Sequence, residues 1–291
     1  PLWSRGLGDV YKRQEYMAVE SVTETAMIWG TVSGASMVGM VISLLLSVGL
    51  PIFLGIFIYK KTKAWVPAFF IGCGIFVGFA MILEQICHAI VLTMTGDVIR
   101  DNIWLYAIYG GLAAALFEEC GRWIAMKFCL KKHLTRENAL MYGAGHGGIE
   151  AFLILGMSSM SNLLTAAMIN GGLMEKTMTA LEPAQQEVTY HQLSVLWTTP
   201  AYQFYLAPVE RISAIALQIA LSILVYSAVK TGRKLHLAAA FGLHFAVDFL
   251  TVVCASTIPT WALELGLLMV VAVICVAVYK LAYVSSTEKK A

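Results

Sequence analysis

The sequence predicts an all-α fold: a polytopic bundle of about seven transmembrane helices. Three observations carry this reading. Of the 291 residues, 59% are hydrophobic and only 13% are charged, about half the charged share of a soluble domain, and the mean hydropathy is +0.74. The apolar residues fall into runs of about 20, the length that crosses a hydrocarbon core. Lysine and arginine collect in alternate loops, as they do on the cytoplasmic side of membrane proteins.

The first residues stand apart from this pattern. "SRGLGDVYKRQ", Ser4 to Gln14, back-translates into the adapter of a transposase-based DNA sequencing kit, so residues 1–14 are read as a non-native tract. Native sequence is then expected to begin near Glu15 or at Met17, without a basic secretory leader. Arg5, Lys12, Arg13 and Asp9 give the excluded tract a net charge of +2, which is the whole formal charge of the chain. Residues 15–291 are therefore near neutral, carry no basic nucleic-acid footprint and read as a single membrane-embedded domain.

The spans follow in order. Ser36–Tyr59 contains Pro51, which removes a backbone donor and is expected to kink the helix. Trp65–Leu83 ends just before Glu84 and His88, read as snorkelling groups near the outer end. Ile103–Phe128 holds "LFEECGRWIAMKF", with Glu118, Glu119 and Arg122. Ala139–Met160 holds the glycine-rich "GAGHGGIEAF". The stretch Gly171–Tyr205 is acidic and dotted with Trp197, Tyr202 and Tyr205, and is assigned to the outer interface, or to a re-entrant piece that would raise the count to eight. Leu206–Val229 opens on Glu210 and Arg211, read as an ion pair near the outer face. Leu235–Cys254 holds "GLHFAVDFL", and Trp261–Tyr283 closes the bundle.

Thirteen basic residues follow the first, third, fifth and seventh spans, against Arg100 and Lys176 in the opposite loops. This asymmetry places the N-terminus outside and the C-terminus in the cytoplasm of a plasma membrane, in a chain of bacterial type. The six cysteines form no CxxC pair, so neither a disulfide framework nor a cysteine zinc site is expected.

Charges inside the spans are few, and such groups are functional candidates by default. Glu118 lies nine residues before Lys127, about 14 Å along the helix; His146 and His244 lie ten residues after Arg136 and Lys234, about 15 Å each. Three groups from three helices thus share one level of the bilayer, in its cytoplasmic half. His146 with Glu150, and His244 with Asp248, are four apart on one helix face, a spacing that lets each carboxylate orient its histidine. Gly143, Gly145, Gly147 and Gly148 allow a neighbouring helix close to His146. Glu118 and Glu119 point about 100° apart; spacing leaves the choice between them open, and Glu118 is taken to act while Arg122 holds Glu119.

Two histidines and a carboxylate in a dry bundle can hold a divalent metal, Zn2+ or another, through Glu118, His146 and His244. They can equally work without one, a carboxylate taking a proton from water that a histidine orients. Either chemistry is hydrolysis, most naturally of an amide bond presented from the lipid bilayer. The competing class is an ion- or proton-coupled transporter that uses the same buried groups, but the inverted repeats common in transporters are absent from the sequence.

"EECGR", "GHGGIE" and "HFAVD" resemble the YhfC family of intramembrane proteases, related to the wider group of CAAX-prenyl endopeptidases and bacteriocin-processing membrane proteins. The resemblance covers nearly all of residues 15–291. It implies a membrane-embedded or lipidated peptide substrate, Glu118 as the glutamate that activates water, His146 as its partner, and His244 with Asp248 as the third motif. The wider group carries its arginine one residue later than Arg122 and an Asn where Asp248 stands. Gln218, about 18 Å deep, falls where the family pattern is expected to offer a polar residue or histidine. Glu119, Arg122, Glu150 and Gln218 form the expected supporting set.

Overall fold

The computed structural model describes residues 27–284, so the tract 1–14, the expected native start and the terminal Lys289 and Lys290 lie outside the described residues. Seven helices are long and apolar enough to cross a bilayer. They are α1 (Gly34–Thr62), α2 (Pro67–Thr95), α3 (Ile103–Cys129), α4 (Arg136–Asn170), α5 (Ala201–Thr231), α6 (Lys234–Ala255) and α7 (Thr260–Ala282). No strand occurs among the described residues. The protein is an all-α, multi-pass membrane bundle.

Local chemistry sets the helix ends. The side chains of Ser33, Asn102 and Thr135 accept backbone N–H groups at the starts of α1, α3 and α4, which satisfies donors that a helix leaves unpaired. Gly232, with φ 72°, ends α5 in the left-handed conformation that glycine tolerates.

Two helices run well beyond the hydropathy reading, each because polar groups inside the helix find partners. Helix α2 continues to Thr95, since Glu84 and His88 are buried against one another rather than snorkelling. Helix α4 runs on to Asn170 through a serine-rich stretch in which Ser158 returns its hydroxyl to the Ile154 carbonyl. Helix α1 continues through Pro51. The stretch after α4 forms two helices, Leu173–Met178 and Pro183–Thr198, neither of which is among the seven helices fit to span. Leu196 and Trp197 pack there with Val32, Met40 and Ile169, joining this stretch to α1 and α4.

Helix α4 sits at the centre, packed by α1, α2 and α5, and from Asn138 to Ala151 nearly all of it is buried. Its glycines make this approach possible. A Cβ at Gly145 would stand 1.9 Å from the Phe69 carbonyl oxygen of α2, and one at Gly143 would stand 2.7 Å from Cα of Ile219 on α5. No L side chain fits at such distances, so the glycines set the spacing that brings His146 to its neighbours.

Gly145→Ala must push α2 and α4 apart and is expected to cost about 1–3 kcal/mol, as overpacked cores do. Gly74→Ala, on the same helix pair but with open space around the new methyl, is expected to raise stability by up to about 1 kcal/mol, the helix preference of alanine over glycine. Thermal unfolding of both variants in detergent checks the contrast.

Candidate active site

The site is assembled from α3, α4, α5 and α6. Glu118 and Glu119 of α3 are 6% and 2% exposed, and Arg122, one turn on, is 0% exposed. On α4, His146 is completely buried; on α5, Gln218 is buried; on α6, so is His244. The three groups expected at one level do meet: Glu118 Oε2 lies 3.0 Å from His146 Nε2 and 3.9 Å from His244 Nε2.

The two adjacent glutamates have different surroundings. Glu118 lines a cavity of about 50 Å³ together with Glu150, Gln218, His244 and Asp248, roomy enough for a few waters. Glu119 stands behind that wall, with Oε1 3.0 Å from Arg122 Nη1 and 2.8 Å from His244 Nδ1. Adjacent helix positions point to different faces, and here one faces the cavity and the other a buried ion pair.

Arg122 does more than neutralise Glu119. Its Nη2 donates to Gln218 Oε1, lies 3.3 Å from His146 Nε2 and stands 3.9 Å from Glu118 Oε2. Because the guanidinium only donates, it fixes which end of the Gln218 amide is oxygen. The amide NH2 must then point the other way, where it donates to Glu118 Oε2 at 2.9 Å and to Glu150 Oε2 at 2.8 Å. Gln218 thereby clamps two carboxylates from different helices.

Two sequence expectations change here. Glu150 does not orient His146: the His146 Nδ1 lies 3.5 Å from the Tyr142 hydroxyl, while Glu150 turns to Gln218 and to Arg211 Nη1, 3.3 Å away. Residues four apart share a helix face, but their side chains take the strongest partner across the bundle, which for Glu150 is a guanidinium. His244 and Asp248 do stay close, with Nε2 3.5 Å from Oδ2. The atoms within 4.8 Å of one another and able to hold a metal belong to Glu118, His146 and Glu150, so Glu150 stands where His244 was expected, and His244 is bound through Nδ1 to Glu119.

This donor set suits a divalent metal. One imidazole nitrogen and two carboxylates are ligand types that divalent metals take, with one histidine fewer than the His2Glu set of catalytic zinc sites. His146 Nε2 lies between Arg122 Nη2 at 3.3 Å and Glu118 Oε2 at 3.0 Å; protonated it donates to Glu118, and deprotonated its single lone pair serves either the guanidinium or a metal.

The hydropathy pattern hid other polar groups. Glu84 lines the same cavity and is held by His88 at 3.1 Å, whose other ring nitrogen meets the Tyr109 hydroxyl at 2.8 Å. Glu210 and Arg211 are an ion pair, as expected, but Arg211 is 2% exposed and ties Glu150 to α5. Glu264 of α7 is also buried, with Oε2 lacking any hydrogen-bond partner. The four-residue spacing of Glu84 and His88 was visible in the sequence; only their partner across the bundle, Tyr109, was not. All six cysteines are free, as their spacing implied.

Comparison with known proteins agrees with the motifs. The family model described as YhfC intramembrane metalloprotease matches residues 46–275, which span all the site helices. The "Uncharacterized membrane protein YhfC" of Bacillus subtilis (strain 168) is 40% identical over 232 residues, covering 77% of this chain and 83% of that protein. No solved structure matches. The chain belongs to the YhfC intramembrane metalloprotease family.

Proposed function

We propose that the protein is an intramembrane peptidase that hydrolyses an amide bond of a membrane-associated peptide at the Glu118 cavity. The observation that carries this reading is Glu118 on the wall of a small cavity within the bundle, shared there with His244 and Asp248 and backed by His146 Nε2 at 3.0 Å. Water admitted there meets a carboxylate beside an imidazole, and little competing solvent.

The steps use this chain's own groups. Glu118 accepts a proton from water as its oxygen attacks the scissile carbonyl carbon. The tetrahedral intermediate collapses with cleavage of the C–N bond, and the leaving amine takes a proton from His244 Nε2, which faces the cavity beside Asp248. Glu119 on Nδ1 keeps that ring oriented, and Glu118 passes its proton to His244 Nε2, 3.9 Å away, which restores both groups. Glu118, His146 and Glu150 would hold a divalent metal, which polarises a carbonyl and acidifies bound water. Gln218 and Arg122 position the two carboxylates. Family membership favours this reading over a transporter.

Purified protein is expected to cleave a membrane-peptide or prenyl-peptide substrate, with Glu118→Gln and His146→Ala each lowering kcat by at least about 100-fold, the low end of general-base effects. Normal cleavage by both variants sinks the assignment. Metal content, read by elemental analysis, is expected to fall in Glu150→Gln and after chelation; full chelator resistance with loss on Glu118→Gln points instead to the metal-free route.

Gln218→Leu removes the clamp and leaves two carboxylates facing each other. A loss of about 10–100-fold in activity or metal affinity is expected, as for outer-shell partners of metal ligands, with the protein still folded. Glu119→Ala strands the Arg122 charge and is expected to destabilise by about 3–5 kcal/mol, seen as lost expression or a lowered Tm rather than a selective loss of kcat.

A further inference from the structure

The cavity runs in one direction from the catalytic level. On every span its lining residues lie at the level of Glu118 or beyond it, away from the basic loops: Glu84 and Gln85 on α2, Ala114 on α3, Glu210 and Ala214 on α5, Thr251 on α6. Counted from the ends nearest the basic loops, Glu84 is about 25 Å along its helix and Glu210 about 30 Å, against about 14 Å for Glu118. Toward the basic loops the bundle is closed. One turn below the catalytic groups stand Arg122 and Tyr142, and then Met126, Met141 and Leu221, each 0–1% exposed.

The outward part of the cavity is acidic. To Glu118, Glu150 and Asp248 on its wall it adds Glu84 and Glu210; Glu119 and Glu264 stand behind the wall, Glu264 interacting electrostatically with Glu210 and Arg211. Among the described residues, these seven face two guanidinium groups, Arg122 and Arg211. Glu264 is 5% exposed, and although Arg211 is close enough to act on it electrostatically, its Oε2 is buried with no hydrogen bond. The π-helical stretch Val77–Glu84 of α2 turns Ala80, Met81 and Glu84 together onto the cavity, the kind of local rewinding that often marks functional positions.

We propose that the cavity opens to the non-cytoplasmic side of the bilayer and that its outer carboxylates, Glu84 and Glu210, receive a lysine or arginine side chain of the peptide entering there. The inference rests on the peptidase reading of the Glu118 site for its substrate, and on geometry alone for its direction and charge preference. Glu84 is the specificity-determining residue; it touches neither Glu118 nor His146 and takes no part in the proton transfers.

Two measurements test this. In a variant with the six cysteines replaced and Thr251→Cys introduced, thiol labelling from outside intact cells is compared for a cationic trimethylammonium methanethiosulfonate and its anionic sulfonate counterpart. The cationic reagent is expected to react faster by about tenfold or more, the low end of electrostatic focusing in a charged cleft, and Glu84→Gln is expected to narrow that ratio. Equal rates, labelling only from the cytoplasmic face of inverted vesicles, or no labelling at all overturns the proposal. With cysteines intact, wild type and Glu84→Gln are compared on matched membrane peptides carrying lysine or norleucine beside the scissile bond. Glu84→Gln is expected to raise KM for the lysine peptide with kcat preserved and to leave the norleucine peptide unaffected; equal losses on both peptides make Glu84 a structural residue and overturn its role. If no peptide is cleaved while the cationic reagent still prevails, the peptidase reading falls and the cation-selective outer cavity stands.

Discussion

The guanidinium of Arg122 is the group on which the rest of the site depends. It is wholly buried and reaches Glu119 on its own helix, His146 on α4 and Gln218 on α5. Glu119 extends the link to His244 on α6. Four helices are therefore registered against one planar fork, which presents five donors in fixed directions and cannot lose its charge. A lysine would offer the charge without the geometry. An isolated guanidinium in this place would be costly, since a buried charge is tolerated only when paired and hydrogen-bonded. Glu119 meets that requirement, so Glu118 need not spend its oxygens on the arginine and can face the cavity.

The packing of α4 supplies the second condition. A residue inside a glycine-rich helical segment, as His146 is, can reach the neighbouring helices only if their backbones come close, and side chains at Gly143 or Gly145 would forbid it. Glycine lowers helix stability by about 1 kcal/mol per position relative to alanine, and the run from Gly143 to Gly148 contains four of them. In a bilayer this is offset by the absence of water to compete for backbone groups and by tight van der Waals contact, the main attraction between helices there. His146 thus sits where the helix is least stable by itself and most closely held by others.

Much of this was legible in the sequence, because two of its signals are geometric. Hydropathy and the basic loops fixed the spans, and counting residues inward from Lys127, Arg136 and Lys234 placed Glu118, His146 and His244 on one level, where they do meet. What depends on rotation and on partners from other helices was not legible. The four-residue spacing of His146 and Glu150 could be read only as a local pair, since nothing in it reveals that Arg211, 61 residues away, holds Glu150. Glu84 and His88 looked like snorkelling groups because their depth was judged from hydropathy, which cannot register that Tyr109 and the cavity lie across from them. Gln218 was placed at the right depth, but its clamp on two carboxylates follows from an amide orientation that only Arg122 dictates.

Depth and access are different properties, and the site separates them. Glu118 lies nearer the cytoplasmic end of its helix than the outer end, as the count from Lys127 required. Yet the packed residues below it leave no space in that direction, while the small volume above it is bordered by acid side chains from α2, α4, α5 and α6. A buried carboxylate in apolar surroundings is expensive unless something cationic shares the space. Helix α2 illustrates the point: Glu84 offsets its burial by pairing with His88, which reaches Tyr109 of α3, and still borders the cavity, where a positively charged guest would lower the cost further.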